Sequence, residues 1–228
     1  GNKKPNLVQI DDGWQVDNSF SGKWTVDESK FPNGLLSLAK KFKEMGYSSF
    51  GLWHAPFLAE ENTAFFKENK ELFLKGEDGE PKPSYKHILP VYPLNLSDPK
   101  VLEILAGHYR RAVDEYGASY FKLDFLTFAL SSLLDQSYLS YETDYSVALY
   151  RRALMKIRET IGPDAFMLAC GAPIPEAAGI FDAIRIGPDI IWGRHKSFPS
   201  AWELINMCAR NVLLRYFYHN KMFINDAD

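Results

Sequence analysis

The sequence predicts an α/β fold of parallel strands, an incomplete TIM barrel of about six of the eight βα units. Three observations predict it. Short apolar runs alternate with longer amphipathic ones along the chain, the pattern of βα repeats. Polar or reactive residues close these runs at their C-terminal ends: Asp11, Trp53, Asp124, Cys170, Asp189 and Asp226, and a barrel builds its active site at that end of its strands. No GxGxxG or GxxxxGK[ST] loop follows any run, and nearly every run contributes a polar end. A doubly wound nucleotide-binding sheet, which gathers its ligand at one switch point, is therefore the weaker alternative.

Each element follows in order. Leu7 to Ile10 predicts a strand ending at Asp11-Asp12-Gly13. Gly34 to Met45 predicts a helix with Leu35, Leu38, Ala39 and Phe42 at helical spacing, stopped by Gly46. Ser48 to Trp53 predicts the next strand, followed by the turn Ala55-Pro56-Phe57. Phe57 to Leu96 predicts a long loop, with Gly76 to Gly79 as a turn and Pro81, Pro83, Pro90 and Pro93 breaking regular structure. A βα loop of this length is usually functional. Ser97 is the expected cap of a helix with Pro99 in its first turn, running to about Tyr116 and ended by Gly117. Ser119 to Phe125 predicts a strand with Lys122 and Asp124 inside it, and Asp144 to Ile161 a helix stopped by Gly162-Pro163. Ala165 to Ala169 and Ala183 to Ile186 predict two strands ending at Cys170-Gly171 and at Gly187-Pro188-Asp189. Ser200 to Tyr218 predicts a long helix, and Lys221 to Ile224 a last strand ending at Asn225-Asp226.

Composition narrows the function classes. The 228 residues are 46% hydrophobic and 24% charged with a net charge of -3, an ordinary globular balance. No basic stripe points to nucleic acid, and no apolar run approaches the roughly 18 residues that cross a bilayer. The aromatic content of 14% fits a sugar site, but large cores are aromatic-rich too, and the core is the preferred reading. Cys170 and Cys208 lie in no metal-ligand spacing and are expected as free, buried thiols, with no zinc site. Gly1 to Pro5 shows no signal peptide; a cytoplasmic location is the expectation, with the true N-terminus lying upstream.

Three constellations can carry chemistry. Lys122 and Asp124 are two residues apart on a strand and share a face, which in a barrel is the interior. A lysine there can hold a carboxylate ionised and donate to a hydroxyl; a structural ion pair is the plain alternative. Arg185 lies on a strand, and Gly187-Pro188 lifts Asp189 to the rim, where a partly desolvated carboxyl suits a general acid. Pro-Asp is also ordinary turn chemistry. Asp11 and Asp12 are adjacent carboxylates at a strand end. A pair of sugar hydroxyls is the preferred ligand, while a hard cation with Asp226 and Asp228 as further oxygen donors stays open. Trp53 is a sugar-stacking wall or a core residue. Cys170, followed by Gly171, permits close ligand approach and lacks a histidine partner for a nucleophile's role. His54, His87, His108, His195 and His219 are scattered, with His108 and His219 in helical patterns. No GxSxG elbow exists, which disfavours a serine hydrolase.

The segments VQIDDGWQ (Val8 to Gln15), GLWHAPF (Gly51 to Phe57), YFKLDFL (Tyr120 to Leu126), LACGAPIPEAAGIFDAIRIGPDI (Leu168 to Ile190) and MFINDAD (Met222 to Asp228) follow one another along the chain. Together they resemble the bacterial α-galactosidases of glycoside hydrolase family 36, in the melibiase clan, nearly end to end. The KLD and RIGPD segments are the specific ones.

The resemblance implies Asp124 as nucleophile and Asp189 as acid/base in a double displacement with retention. It implies Asp11 and Asp12 as the pair on the 4- and 6-hydroxyls, Lys122 as a hydroxyl donor, Cys170 and Arg185 around the 2-hydroxyl, and Trp53 as a pocket wall. It implies a glycoside or oligosaccharide substrate, no cofactor, no metal, no nucleic acid and no membrane. In the family, oligomer neighbours and the N-terminal domain often complete the pocket, so a homo-oligomeric full-length protein is expected. Residues 1–228 are then a partial catalytic barrel domain running from strand two to strand seven. The flanking N-terminal β-sandwich and C-terminal β-domain are absent from them. Six strands with two open edges predict an aggregation-prone chain with little activity alone. After Asp189 the family often continues T/V-A-P-x-W, whereas Ile190-Ile191-Trp192 stands here, which leaves the aglycone open. The rival readings are an α-N-acetylgalactosaminidase or other retaining α-glycosidase, a catalytically silent carbohydrate-binding barrel, and a metal-dependent hydrolase using Asp11, Asp12 and Asp226.

Overall fold

The computed structural model of the chain describes residues 6–17, 19–86, 89–140, 143–190 and 201–227. Of the residues singled out above, Gly1 to Pro5, His87, Ile191, Trp192, His195, Ser200 and Asp228 lie outside the described residues. In chain order the elements are β1 (Leu7–Ile10), α1 (Gly34–Glu44), β2 (Ser49–His54), β3 (Leu58–Glu60), α2 (Ala64–Glu68), β4 (Tyr85–Lys86), β5 (Pro90–Pro93) and α3 (Pro99–Asp114). There follow β6 (Tyr120–Leu123), α4 (Leu126–Ser140), α5 (Thr143–Ile161), β7 (Phe166–Ala169), α6 (Ile174–Ala177), β8 (Ala183–Arg185), α7 (Ala201–Arg215) and β9 (Ile224–Asp226).

Six strands form one sheet in the order β1-β2-β6-β7-β8-β9. Every neighbouring pair is parallel. Sheet order follows chain order, as in a barrel wall whose helices are the return crossovers. The register divides the side chains into two faces. One face carries Leu52, Phe121, Met167, Ala169 and Ile184, all at 0% exposure; each such burial contributes ~1.5–3 kcal/mol for a large apolar side chain. The other face carries the paired rows Gln9–Gly51–Tyr120–Phe166 and Trp53–Lys122–Leu168–Ala183. It lines a cavity of about 480 Å³ that also touches Asp226. Gly51 is required in that row, because a Cβ there would sit 2.6 Å from the Tyr120 ring.

The structure departs from the sequence-based expectations in definite ways. The Phe57 to Leu96 stretch is not a plain loop: β3, β5 and β4 make a small antiparallel sheet. Pro90 and Pro93 lie at the two ends of β5, where a missing N–H is tolerated, and Pro81 and Pro83 lie outside the named strands. The cap of α3 is Asp98, whose carboxylate accepts from Lys100 N at 2.8 Å, because Asp98 directly precedes the first-turn proline; Ser97 Oγ donates to Asn95 instead. α4 was missed, since Leu126 to Ser140 carries apolar residues around much of its circumference and blurs the helical period. β6 stops at Leu123, so Asp124 lies just past the strand rather than inside it. α7 gives way to a 3-10 turn at Tyr216–Tyr218. A turn with Asn220 at φ 60 follows, which delays the last strand to Ile224–Asp226 and puts Asn225 and Asp226 inside it.

Candidate active site

The site grows from the C-terminal ends of β1, β2, β6, β7 and β8. Where β6 ends, Asp124 N still donates to His54 O at 2.7 Å, so the backbone holds strand-like order for one more residue. The Asp124 carboxylate then accepts from Phe125 N on Oδ1 at 2.7 Å and from Trp53 Nε1 on Oδ2 at 3.0 Å. Phe125 adopts the left-handed region with φ 56, an outlier for a bulky residue and typical of strained functional loops. Its ring is pinned edge-on against Phe20 and Trp53, with centroids 5.0 and 6.3 Å away. Gly171 faces the same carboxylate. Its φ of 56 suits glycine, and a Cβ there would stand 3.6 Å from Asp124 Oδ1.

From Asp124 a short chain of contacts crosses to Asp189. The Cys170 thiol hydrogen-bonds Asp124, and burial, with the charge of Asp124 adding to it, pushes the thiol up to about 12 against the pull of Arg185. Cys170 is therefore a neutral thiol at ordinary pH. Arg185 Nη1 stands 3.4 Å from Cys170 Sγ, and Arg185 Nη2 pairs with Asp189 Oδ1 at 2.5 Å. Burial lowers the Arg185 pKa, and the Cys170 and Asp189 contacts outweigh it, leaving it above its usual value. The expectation of a partly desolvated Asp189 is corrected: its side chain is 73% exposed while that of Arg185 is 7% exposed. The Gly187-Pro188 turn lifts it fully clear of the sheet.

Lys122 also differs from expectation. It does not bond Asp124; its Nζ donates to Asp11 Oδ2 at 2.9 Å. Burial pulls its pKa down, but the Asp11 hydrogen bond and charge, with smaller help from Cys170 and Asp124, leave it raised. The physical reason is register: Lys122 sits one residue before the strand end, level with the end of β1 two strands away. Asp11 Oδ2 also accepts from Gln9 Nε2 at 2.7 Å. Asp12 accepts from Gln15 Nε2 at 2.7 Å and from Ser19 Oγ. Trp53 is nearly fully buried and serves Asp124 through its N–H.

Seven of the eight residues picked from the sequence therefore lie at or just past the ends of neighbouring parallel strands, and Asp189 joins them from the turn beyond β8 through Arg185. Gln9, Gln15 and Ser19 were missed. Gln15 left a faint signal, standing three residues after Asp12 in a glycine turn; the indole N–H on Asp124 left none. Asp226, the third acid of the metal-dependent alternative, sits on β9 in register with Arg185. Among the described residues no group of three or more His, Cys, Asp or Glu side chains is arranged to hold a metal ion.

Comparison with known proteins points to one family. The Melibiase family model matches residues 5–163. An α-galactosidase from Thermus thermophilus, solved with p-nitrophenyl α-D-galactopyranoside, superposes with a TM-score of 0.76 at 31% identity, covering 97% of this chain and 44% of that one. The α-galactosidase of Escherichia coli is 29% identical over 50% of this chain and 16% of its own length. Probable α-galactosidase C of Aspergillus flavus is 26% identical over 89% of this chain and 26% of its own length. The chain thus spans less than half the length of each of these relatives.

Proposed function

The chain belongs to the melibiase family, and on that premise we propose that it is the central barrel segment of a retaining α-galactosidase, with Asp124 as nucleophile and Asp189 as acid/base. One observation carries the reading: two carboxylates from separate strands are linked across one rim through Cys170 and Arg185. Asp124 attacks the anomeric carbon as the bond to the leaving oxygen breaks, and Asp189 gives that oxygen its proton. Water then loses a proton to Asp189, attacks the same carbon and displaces Asp124, so configuration is retained. The hydrogen bonds from Phe125 N and Trp53 Nε1 hold one Asp124 oxygen each for attack without reorganisation, which is how preorganised sites lower barriers. Asp189 must exchange the Arg185 guanidinium for the glycosidic oxygen, and its exposure on a turn leaves it free to do so.

Recognition falls to the same rim. Asp11 and Asp12 accept from the 4- and 6-hydroxyls, and Lys122, anchored on Asp11, donates beside them. The contact between Cys170 and Arg185, both of low exposure, closes the 2-position side and favours a hydroxyl over an N-acetyl group. Aryl and oligosaccharide α-galactosides are the substrate class. In the protein, Asp124→Asn lowers kcat for p-nitrophenyl α-D-galactopyranoside by about a thousandfold or more, the loss of several kcal/mol of transition-state stabilisation. Near-normal turnover by the folded variant would refute the assignment.

A further inference from the structure

The turn that presents Asp11 and Asp12 is fixed from beneath by a side chain that the proposed reaction does not use. Gln15 is 1% exposed. Its Nε2 donates to Asp12 Oδ1 at 2.7 Å, and its Oε1 accepts from Gly13 N at 3.2 Å. One buried amide therefore spans the turn and grips both the backbone and the carboxylate. The backbone under it is itself immobilised. Gln15 bridges Val26, and Trp14, wholly buried, donates its indole N–H to Trp53 O at 2.8 Å. Gly13 stands at φ 109, a conformation that L side chains rarely adopt, and its carbonyl accepts from Lys30 Nζ at 2.8 Å. Asp12, by contrast, is exposed.

An exposed aspartate on a turn ordinarily samples several rotamers. Here Gln15 holds one carboxylate oxygen and Ser19 the other. A carboxylate has about four lone-pair positions, so each oxygen keeps one for a ligand, and the directions of both are set by protein donors. Discrimination by hydrogen bonds depends on such direction, because a misaligned bond weakens steeply.

We propose that Gln15 is a positioning residue for sugar recognition: by fixing the Asp12 carboxylate it sets how strongly the site prefers an axial over an equatorial hydroxyl at C4. The proposal rests on the reading of Asp12 as a hydroxyl acceptor. A purely structural Gln15 would staple the turn and affect stability without changing the choice between epimers.

The test uses two probes that differ only at C4, 1-deoxygalactonojirimycin and its gluco epimer 1-deoxynojirimycin, titrated calorimetrically into the wild-type protein, Gln15→Met and Gln15→Glu. Gln15→Met keeps the shape and burial and removes both hydrogen bonds; Gln15→Glu keeps the shape and puts an acceptor where the donor was. The expected result is that each folded variant narrows the galacto-over-gluco affinity ratio by about tenfold, mostly through weaker binding of the galacto probe. A ratio unchanged in folded variants overturns the proposal while leaving the α-galactosidase reading intact. Failure of both variants to fold assigns the residue to stability and overturns it equally. A wild-type protein that binds neither probe, or both alike, sinks the α-galactosidase reading itself.

Discussion

Asp124 accepts from the Phe125 N–H of the backbone, from the Trp53 indole N–H and from the Cys170 thiol, and the indole is the donor whose removal leaves the chain of contacts to Arg185 in place. Trp53→Phe keeps an aromatic wall and deletes that donor. A hydrogen bond to a charged group is worth ~1.5–3 kcal/mol, so kcat for an aryl α-galactoside is expected to fall between about tenfold and a hundredfold. Steady-state kinetics check this, and an unchanged kcat would mean that the indole only fills space. Most of the proposed site residues stand out in the sequence because each closes an apolar run. Asp11, Asp12, Trp53, Asp124, Cys170, Arg185 and Asp189 all have that signature. The partner of Lys122 was not legible. Alternation along a strand tells which face a side chain shares, not which carboxylate on a neighbouring strand lies within reach. The donors to Asp12 were hidden for a related reason, since Gln15 acts through a turn whose shape the sequence only hints at.

At the level of elements, β2 meets α3 through a buried histidine, and a second buried histidine lies on α3. His54 closes β2 among the rings of Trp14, Trp24 and Tyr109, with centroids at 5.3, 5.1 and 5.0 Å. Burial first, then the charge of His108, depresses His54 from 6.5 to about 3. Burial first, then the charges of Arg111 and Lys23, depresses His108 on α3 to about 4. Both folded values lie below the unfolded one, so the unfolded chain binds more protons between them. The stability from keeping these rings neutral is fully present above about pH 6.5 and is lost as pH falls toward 4, at ~1.4 kcal/mol per unit for each ring. Urea unfolding at pH 7.5 and pH 5 is expected to show this loss, and His54→Phe to remove about half of it, His108 keeping the rest; an equal slope in the variant would show that His54 plays no part. The amphipathic helices α1, α3 and α5 were legible from their period. α4 was not, since its apolar circumference lacks one, and the small β3-β5-β4 sheet was masked by prolines that only its geometry accommodates.

For the whole molecule, the fold class was the most legible feature, because parallel strands buried on one face and polar at their ends leave a repeated mark in the sequence. What the sequence does not display is how much apolar surface stays open. Trp202 is 69% exposed on α7, and Leu213, Leu214 and Tyr216 at its end are 72%, 70% and 72% exposed. The C-terminal end of α7 lies against β9, whose Asn225 Nδ2 donates to Arg215 O at 2.9 Å, and β9 ends the sheet order. An apolar patch of this kind is an interaction or aggregation surface. The chain is expected to self-associate at micromolar concentration, and Leu213→Lys with Leu214→Lys to shift it toward monomer in sedimentation velocity; a monomeric wild-type chain would contradict this. The central claim is that two acids act in turn on opposite faces of one sugar carbon. Proton NMR during hydrolysis of p-nitrophenyl α-D-galactopyranoside by the protein tests it most directly. α-Galactose is expected as the first product, with the β anomer arising only by mutarotation; β-galactose released first would rule out retention.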